Sequence, residues 1–479
     1  MRHLILMALV ITATRLDAAV INTCDSLAHI NLSGRGTPVV MTETLVAGHV
    51  GQAVQIAWPN AYNHLQFAEI NATADASWNA ALGFSFWVKG DGSNNAGCLY
   101  VEAGGARFAA AFTIDHTDFR QKFIPWQDLL PDAYTGVNES AIGPASTITP
   151  SQIDGIYLLK SYYWRDPRPA ITITIDEFAI ETSLPVDTDT YEPTGDPLAQ
   201  VKAKLAARQP VTIVGVGDSL LWPNHGAQTA NNTSWLKFLE TRLEARYPSL
   251  AVTIDNQGYG GDHLTHGGIK APTWLQTVPT ADLIIVEFGY NDVDDGATQQ
   301  MYRDRLVLVA RLLRRKTLGA SNLLFVTGAP DSGDGSARAF VRQAVIDAGA
   351  AENVAVADTW AFFNGIGAGD LASFYHDPAH PDGSDDAGTP IYDNGQDEFA
   401  RVIELEMAEP SGGTGTTGTT GTGTTGTGTT GSAGTSGTGT TGGGASSGTG
   451  DVGCGTGGGV AAAIGVGLML ALGLRRNRG

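Results

Sequence analysis

Positive charge is scarce in this chain. Lysine and arginine together number 29 against 49 aspartates and glutamates, which gives a formal net charge of −20. Nucleic-acid binding requires a basic surface that neutralises phosphates, so the composition argues against a nucleic-acid partner. The apolar share of 42% leaves enough material for sizeable cores, and the length predicts two or three domains.

A long helical period is missing from residues 20–185. Short strand-like segments alternate there with turn residues, as at 53–58, 83–90 and 170–176. Several strands at this spacing predict an antiparallel β-sandwich. Trp164, Tyr162 and Tyr163 offer aromatic faces for stacking on a sugar, or alternatively for packing within the sandwich.

The two ends of the chain have unusual compositions. Residues 1–19 place an apolar run after a basic start and resemble a secretory signal peptide, with a buried strand as the alternative. Residues 408–450 are almost only Gly, Thr and Ser, which predicts a disordered linker. The final segment, 451–479, contains Cys454, an apolar stretch that is short for a membrane span, and terminal arginines.

Cysteine is rare as well, with three residues in the chain. Cys24 and Cys98 both fall within the sandwich region, and export would permit their oxidation. The sequence therefore allows a disulfide between them, although their geometry cannot be read from spacing.

Residues 209–407 show a different pattern, which follows an acidic connector at 186–208. Strand-like runs at 211–216, 251–254, 283–288, 323–327 and 354–357 alternate with helical patterns at 234–246, 299–315 and 336–348. Such alternation predicts a mostly parallel sheet with helices on both faces.

A serine stands where the first of these strands ends. The motif is Gly-Asp-Ser-Leu at 217–220, and it follows the β-branched run 211–216. About 160 residues later, Asp377 precedes His380 by three positions. A serine hydroxyl becomes a nucleophile when a base removes its proton, histidine serves as that base near neutral pH, and a carboxylate fixes the histidine tautomer.

Two further segments follow strand ends in the same domain. They are Asn-Gln-Gly-Tyr-Gly-Gly-Asp at 256–262 and Gly-Tyr-Asn-Asp at 289–292. Acyl transfer requires donors aimed at the oxyanion that forms on the carbonyl oxygen. A glycine N–H and an asparagine amide are uncharged donors of this kind.

These four segments together resemble the SGNH, or GDSL-type, esterase and lipase family over residues 209–407. The resemblance implies a three-layer, flavodoxin-like α/β domain in which Ser219 is the nucleophile, His380 the general base and Asp377 its orienting carboxylate. It further implies an oxyanion hole built from the N–H groups of Ser219 and Gly261 and the side chain of Asn291.

Several alternatives stay open at this point. Ser219 could be a helix N-cap, and Gly258 or Gly260 could replace Gly261 as the backbone donor. His376 is read as a substrate-side or structural histidine. Trp222 and Tyr290 are expected to line an apolar acyl pocket.

Two pairs of polar residues are expected to have structural rather than catalytic or metal-binding roles. Asp262 and Asp292 are expected to hold loops by hydrogen bonding. His263 and His266 lack a third ligand and are read as loop or pocket-lining residues, so no metal is expected.

The outer regions also resemble known modules. Residues 20–185 look like a galactose-binding-like jelly roll of the carbohydrate-binding-module type, on the stretches 86–92, 123–126 and 175–178. Such modules often hold a structural calcium ion, although no calcium-loop pattern is visible here. The tail resembles a myxobacterial surface-sorting signal with Cys454 as its key residue; a simple membrane tail is the alternative.

The sequence therefore predicts an exported, surface-attached serine esterase that needs no cofactor and removes O-acetyl groups from a polysaccharide. A broad lipase or short-chain carboxylesterase is the second interpretation. A surface adhesin with a non-catalytic hydrolase-like domain is the third.

Overall fold

A computed structural model of the protein describes residues 19–34, 38–59, 66–132, 147–160, 170–185, 187, 189–221, 234–330, 338–366, 371–375, 379–383 and 394–408. The chain up to Gly413 forms one compact unit. The predicted signal peptide up to residue 18, the predicted linker from residue 409 and the tail with Cys454 lie outside the described residues, as do Tyr162, Tyr163 and Trp164. Among the helices of the described ranges, none has both the length and the apolar content needed to cross a bilayer.

The first half of this unit is the predicted all-β sandwich, built from two six-stranded antiparallel sheets. Its strands are β1 (Ala19–Asn22), β2 (Ile30–Ser33), β3 (Thr42–Ala47), β4 (Gln52–Trp58), β5 (Phe67–Ile70), β6 (Gly83–Lys89), β7 (Ala96–Ala103), β8 (Ala106–Thr113), β9 (Arg120–Pro125), β10 (Leu130–Pro131), β11 (Ile153–Lys160) and β12 (Ile171–Glu181). One sheet has the order β3-β4-β12-β6-β9, with β1 paired to β12, and the other has the order β10-β8-β7-β11-β5-β2.

The second half is the predicted α/β domain. Its five parallel strands are β13 (Val211–Gly217), β14 (Val252–Asn256), β15 (Leu283–Glu287), β16 (Asn322–Val326) and β17 (Ala355–Ala357), in the order β14-β13-β15-β16-β17. Parallel strands covered by helices on both faces are continuous apolar runs, which is why the sequence located all five to within about two residues.

The helices of the described ranges are α1 (Ala199–Ala206), α2 (Trp235–Arg246), α3 (Leu264–Ile269), α4 (Ala271–Thr277), α5 (Tyr290–Asp294), α6 (Gln299–Lys316), α7 (Ala339–Glu352), α8 (Thr359–Asn364) and α9 (Gly395–Met407). The three predicted helices correspond to α2, α6 and α7, whose ends lie within about four residues of the predicted bounds. Side-chain caps explain two of the starts, since Ser234 accepts a hydrogen bond from Leu236 N–H and Thr298 accepts one from Met301 N–H.

The two halves share a hydrophobic core. Strands β7 and β8 point alternate residues to opposite faces of their sheet, and both faces are buried. Leu99 and Val101 pack inside the sandwich, whereas Cys98 and Tyr100 pack with residues of the α/β domain. The sheet that contains β7 therefore lies between the opposite sheet and the hydrolase helices.

This arrangement rules out the disulfide that the sequence allowed. Cys24 and Cys98 are both free, buried thiols. They belong to different cores, because Cys24 faces the sandwich interior and Cys98 faces the α/β domain. Burial raises the pKa of the Cys24 thiol to about 12 and that of Cys98 well above its usual value, which makes both poorly reactive.

Candidate active site

The predicted site residues follow the carboxyl ends of β13, β14 and β15. The strand order reverses between β13 and β15, and open α/β sheets bind ligands at such a switch point. The last residue of β13, Gly217, has to be a glycine because a Cβ there would stand 2.6 Å from the backbone oxygen of Glu287 on β15. This close approach brings the serine turn next to the segment that follows β15.

Ser219 and His380 meet at this edge although 161 positions separate them. The Oγ of Ser219 lies 2.9 Å from Nε2 of His380, and Ser219 is 7% exposed. With Nε2 unprotonated, the serine hydroxyl donates to the imidazole, which is the geometry that general-base activation requires. Ser219 lies in a turn before a segment outside the described residues, so its role as a helix N-cap is not tested.

Gln396 on α9 holds the serine and histidine segments together. Its Nε2 donates to the carbonyl oxygens of Leu220 (3.4 Å) and Pro381 (3.2 Å), and its Oε1 accepts from the N–H of Trp235. Sequence reasoning missed this residue because a lone glutamine in a helix carries no motif.

The structure narrows the choice of oxyanion donors. The Gly258 N–H already donates to Asn256 Oδ1 at 2.8 Å. Gly261 has φ +81°, a conformation that favours glycine, and its N–H has no hydrogen bond to another described residue. Asn291 donates one Nδ2 hydrogen to the carbonyl oxygen of Asp262 at 2.8 Å, which leaves the second hydrogen for a substrate.

Tyr290 lies beside the histidine. Its ring stands 6.3 Å from that of His380 at an interplanar angle of 24°, and the Arg338 guanidinium covers it at 3.4 Å from the ring centroid. The neighbouring cavity is lined mainly by apolar groups, including Leu220, Phe288, Tyr290, Ala329, Val341 and Trp360. Trp222, His376 and Asp377 lie outside the described residues.

His263 and His266 lie where the loop after β14 meets α3. His263 is the N-cap residue, which agrees with its interpretation as a loop residue, whereas His266 lies within the helix; both are 1% exposed or less. His263 Nε2 is 2.8 Å from Asp295 Oδ2, and His266 Nδ1 is 3.2 Å from Asp262 Oδ1. Within the described ranges, no group of three His, Cys, Asp or Glu residues could hold a metal ion.

Three carboxyl groups lie buried beneath the serine turn. Burial, together with the charges of Asp292 and Asp262, raises the pKa of Asp218 to about 7 against the opposing hydrogen bond from Leu220 N–H. Burial and the charge of Asp218 raise the pKa of Glu287 well above its usual value. Burial raises the pKa of Asp292 too, against the opposing hydrogen bond that it accepts from Leu264 N–H. This hydrogen bond agrees with the predicted role of Asp292 in holding a loop.

We expect these groups to make the protein less stable as pH rises. A carboxyl group whose pKa is raised by folding stabilises the protein below its unfolded pKa, and this contribution is lost as pH rises through the folded pKa. For Asp218 the loss falls between about pH 4 and pH 7. Each such proton changes the free energy of unfolding by about 1.4 kcal/mol per pH unit.

Glu287→Gln should therefore raise the free energy of unfolding at pH 8 and leave it nearly unchanged at pH 4. Urea unfolding across this range measures the slope, which should decrease by about one proton. The control is Glu244→Gln on the exposed side of α2, which should keep the wild-type slope. Equal slopes in both variants would contradict the assigned shift of Glu287.

The comparisons with known proteins agree with this geometry. Residues 215–384 match the GDSL-like Lipase/Acylhydrolase family. No match was found among curated proteins. The chain thus contains a hydrolase domain of the class that acts on carboxylic esters.

Three similar solved structures each cover one half of the chain. A lipase/acylhydrolase from Enterococcus faecalis is 19% identical, with a TM-score of 0.34, and covers 41% of this chain and 95% of its own. An acetylxylan esterase from Geobacillus stearothermophilus is 18% identical, with a TM-score of 0.32, and covers 42% and 95%. A family 11 carbohydrate-binding module of a Clostridium thermocellum cellulase is 13% identical, with a TM-score of 0.28, and covers 35% and 96%.

Proposed function

We propose that the protein hydrolyses O-acetyl esters of a polysaccharide by a serine mechanism. The observation that carries the proposal is the 2.9 Å contact between Ser219 Oγ and His380 Nε2, next to the amide of Asn291. A non-catalytic scaffold has no need to keep a buried serine, an imidazole and an oxyanion donor at one sheet edge.

In the first step Ser219 Oγ attacks the ester carbonyl carbon and its proton passes to His380 Nε2. The N–H groups of Ser219 and Gly261 and the Asn291 amide stabilise the oxyanion. His380 then protonates the leaving sugar oxygen as the carbonyl re-forms. Water repeats these steps on the acetyl-enzyme and releases acetate. Asp377 is assigned the orientation of His380.

The choice of a glycan substrate is supported by the exposed face of the sandwich. One sheet is buried against the hydrolase domain, so the outer face of the sheet with β6 is the one turned away from that domain. Trp87 on this face is half-buried and stacks with the exposed ring of His49, with centroids 3.6 Å apart at 14°. Phe119 extends the aromatic group at 6.2 Å from His49.

Hydrogen-bonding side chains surround this aromatic group. The half-buried Gln121 on β9 stands in register with Trp87, and the half-buried Gln55 lies on β4, beyond β12, whereas Asp176 opposite Trp87 is fully buried. Aromatic faces with a few placed polar groups are typical of small-ligand sites. The proposal assigns the glycan contact to this surface, while Trp164, Tyr162 and Tyr163 lie outside the described residues.

Hydrolysis of 4-nitrophenyl acetate, 4-nitrophenyl octanoate and acetylated xylan by the purified protein tests the function. The proposal predicts release of acetate from xylan and slow turnover of the octanoate. Preference for the octanoate, with no acetate released from any acetylated polysaccharide, would instead indicate a lipase.

Trp87→Ala should weaken action on the polymer alone. We expect kcat/KM on acetylated xylan to fall about tenfold, because losing one aromatic anchor costs roughly 1–2 kcal/mol of binding. Turnover of 4-nitrophenyl acetate should stay within about twofold, since tethering helps only substrates that span both domains.

The matched control for Trp87→Ala is Leu82→Ala, which removes an exposed apolar side chain (45%) of the same domain. It should leave both rates unchanged. If Trp87→Ala also leaves the rate on acetylated xylan unchanged, this face does not bind the glycan. Export and attachment to the cell surface remain proposals that depend on the compositions of residues 1–19 and 451–479.

A further inference from the structure

A row of buried polar side chains connects the sandwich to the hydrolase domain. Asp132, which follows β10, is fully buried, and its Oδ1 lies 3.5 Å from Nε2 of His266 on α3. The other ring nitrogen of His266 lies 3.2 Å from Oδ1 of Asp262. One fully buried histidine thus bridges a carboxylate from each domain.

Charged side chains surround His266 in this row. Burial disfavours the charged imidazole, but the interactions with the carboxylates of Asp132 and Asp262 outweigh it and raise the pKa of His266 to about 9. Lys270 pairs with the second oxygen of Asp262. The Arg305 guanidinium, 1% exposed, interacts electrostatically with Asp132. Each ring nitrogen of a protonated His266 faces one of the two carboxylates, so its positive charge is balanced from both domains.

The packing leaves little freedom at this junction. Gly268 on α3 lies so close to Leu130 of β10 that a Cβ on the glycine would stand 2.6 Å from Cδ1 of the leucine. The N–H of Asp132 donates to the carbonyl oxygen of Arg107 at 2.9 Å. The main chain at Asp132 is thus held by the backbone of the sandwich.

Asp262 is also the residue on which the oxyanion site depends. Its carbonyl oxygen accepts the Asn291 amide at 2.8 Å, and Gly261 immediately precedes it. A shift of Asp262 moves the backbone donor and the side-chain donor together. Catalysis is sensitive to such shifts because the donors act at fixed positions in the transition state.

We propose that Asp132 is a positioning residue for the oxyanion site, acting through His266 and Asp262. The sandwich then contributes to the chemistry of the hydrolase domain as well as to substrate binding. This inference rests on the proposed function, since it assigns a role in the reaction attributed to Ser219.

The test is Asp132→Asn in the full-length protein, with activity expressed per active site titrated by a fluorophosphonate. We expect kcat for 4-nitrophenyl acetate to fall about tenfold, a fraction of the hundred- to thousandfold cost of losing one oxyanion donor. KM should stay within about twofold because the donors act mainly on the transition state. The Ki of phenylboronic acid, whose tetrahedral adduct places an oxygen at the oxyanion site, should rise by a similar factor.

The matched control is Asp128→Asn at the same domain junction. Asp128 pairs with Arg315 (2.9 Å) and Lys316 (2.6 Å) of α6. None of these three residues has a hydrogen bond or ion pair to the described residues 256–262 or 289–292, which carry the oxyanion donors. Both variants should lower the melting temperature, but kcat and Ki should change only in Asp132→Asn. Wild-type kcat and Ki in Asp132→Asn would assign Asp132 to stability alone and overturn the proposal.

Two further measurements keep the outcome decisive. If Asp132→Asn does not fold, the second variant is His266→Gln, which removes the bridging charge from the hydrolase side. It must show the same fall in kcat. A wild-type kcat in His266→Gln would overturn the proposal. Wild-type protein and Ser219→Ala are assayed in parallel. An inactive wild type contradicts the proposed function, whereas an active wild type with an unaffected Asp132→Asn contradicts only the role of Asp132.

Discussion

Ser219→Ala is expected to lower kcat for 4-nitrophenyl acetate by about a thousandfold or more, as removal of a nucleophile in a serine hydrolase does. The hydroxyl is the atom that forms the acyl-enzyme, and its contact with His380 Nε2 at 2.9 Å has no substitute among the described residues. The fold should persist, because the substitution removes one oxygen atom from a turn.

Ser234→Ala is the matched control for this experiment. Ser234 has the same exposed fraction as Ser219, 7%, but its hydroxyl caps α2 by accepting from Leu236 N–H. Its loss should cost about 1 kcal/mol of stability and leave kcat nearly unchanged. Wild-type turnover in Ser219→Ala would show that another residue performs the reaction.

Asn291→Ala is expected to lower kcat by about a hundred- to a thousandfold, the cost of one oxyanion donor. KM should change much less, because the free Nδ2 hydrogen meets the oxyanion mainly in the transition state. Steady-state kinetics on 4-nitrophenyl acetate separate the two constants. A large rise in KM with normal kcat would instead make Asn291 a residue that binds the substrate.

Two variants sharpen the role of Asn291. Asn291→Asp keeps the size of the side chain but replaces the donor with an acceptor, so kcat should fall at least as far as in the alanine variant. Asn322→Ala removes a buried amide that accepts from Val201 N–H at the start of β16, away from the strand ends that carry the site. It should affect stability without a comparable change in kcat.

The α/β domain was predictable because its signals are local. Each parallel strand is a short apolar run, and Ser219, Gly261 and Asn291 lie within five residues of the ends of three of them. The sequence located the segments that carry the oxyanion donors but could not decide which of Gly258, Gly260 and Gly261 supplies the backbone N–H. The structure favours Gly261 over Gly258, whose N–H is already bound to Asn256.

The junction between the domains was not predicted, because its contacts join distant parts of the chain. One local signal did exist, since β7 and β8 are nearly continuous apolar runs rather than alternating ones. Such runs indicate strands that are buried on both faces, which would have argued against a Cys24–Cys98 disulfide and for a covered sheet. His266 carried no comparable signal, because its partner Asp132 lies 134 positions earlier.

Site mapping with a fluorophosphonate tests the central claim most directly. Such a reagent phosphonylates a serine whose hydroxyl is activated by a neighbouring base. Mass spectrometry of the labelled full-length protein should find one adduct, on Ser219, formed in step with the loss of esterase activity. A stoichiometric adduct on a different residue, or full activity after Ser219 is modified, would contradict the assignment of Ser219 as the nucleophile.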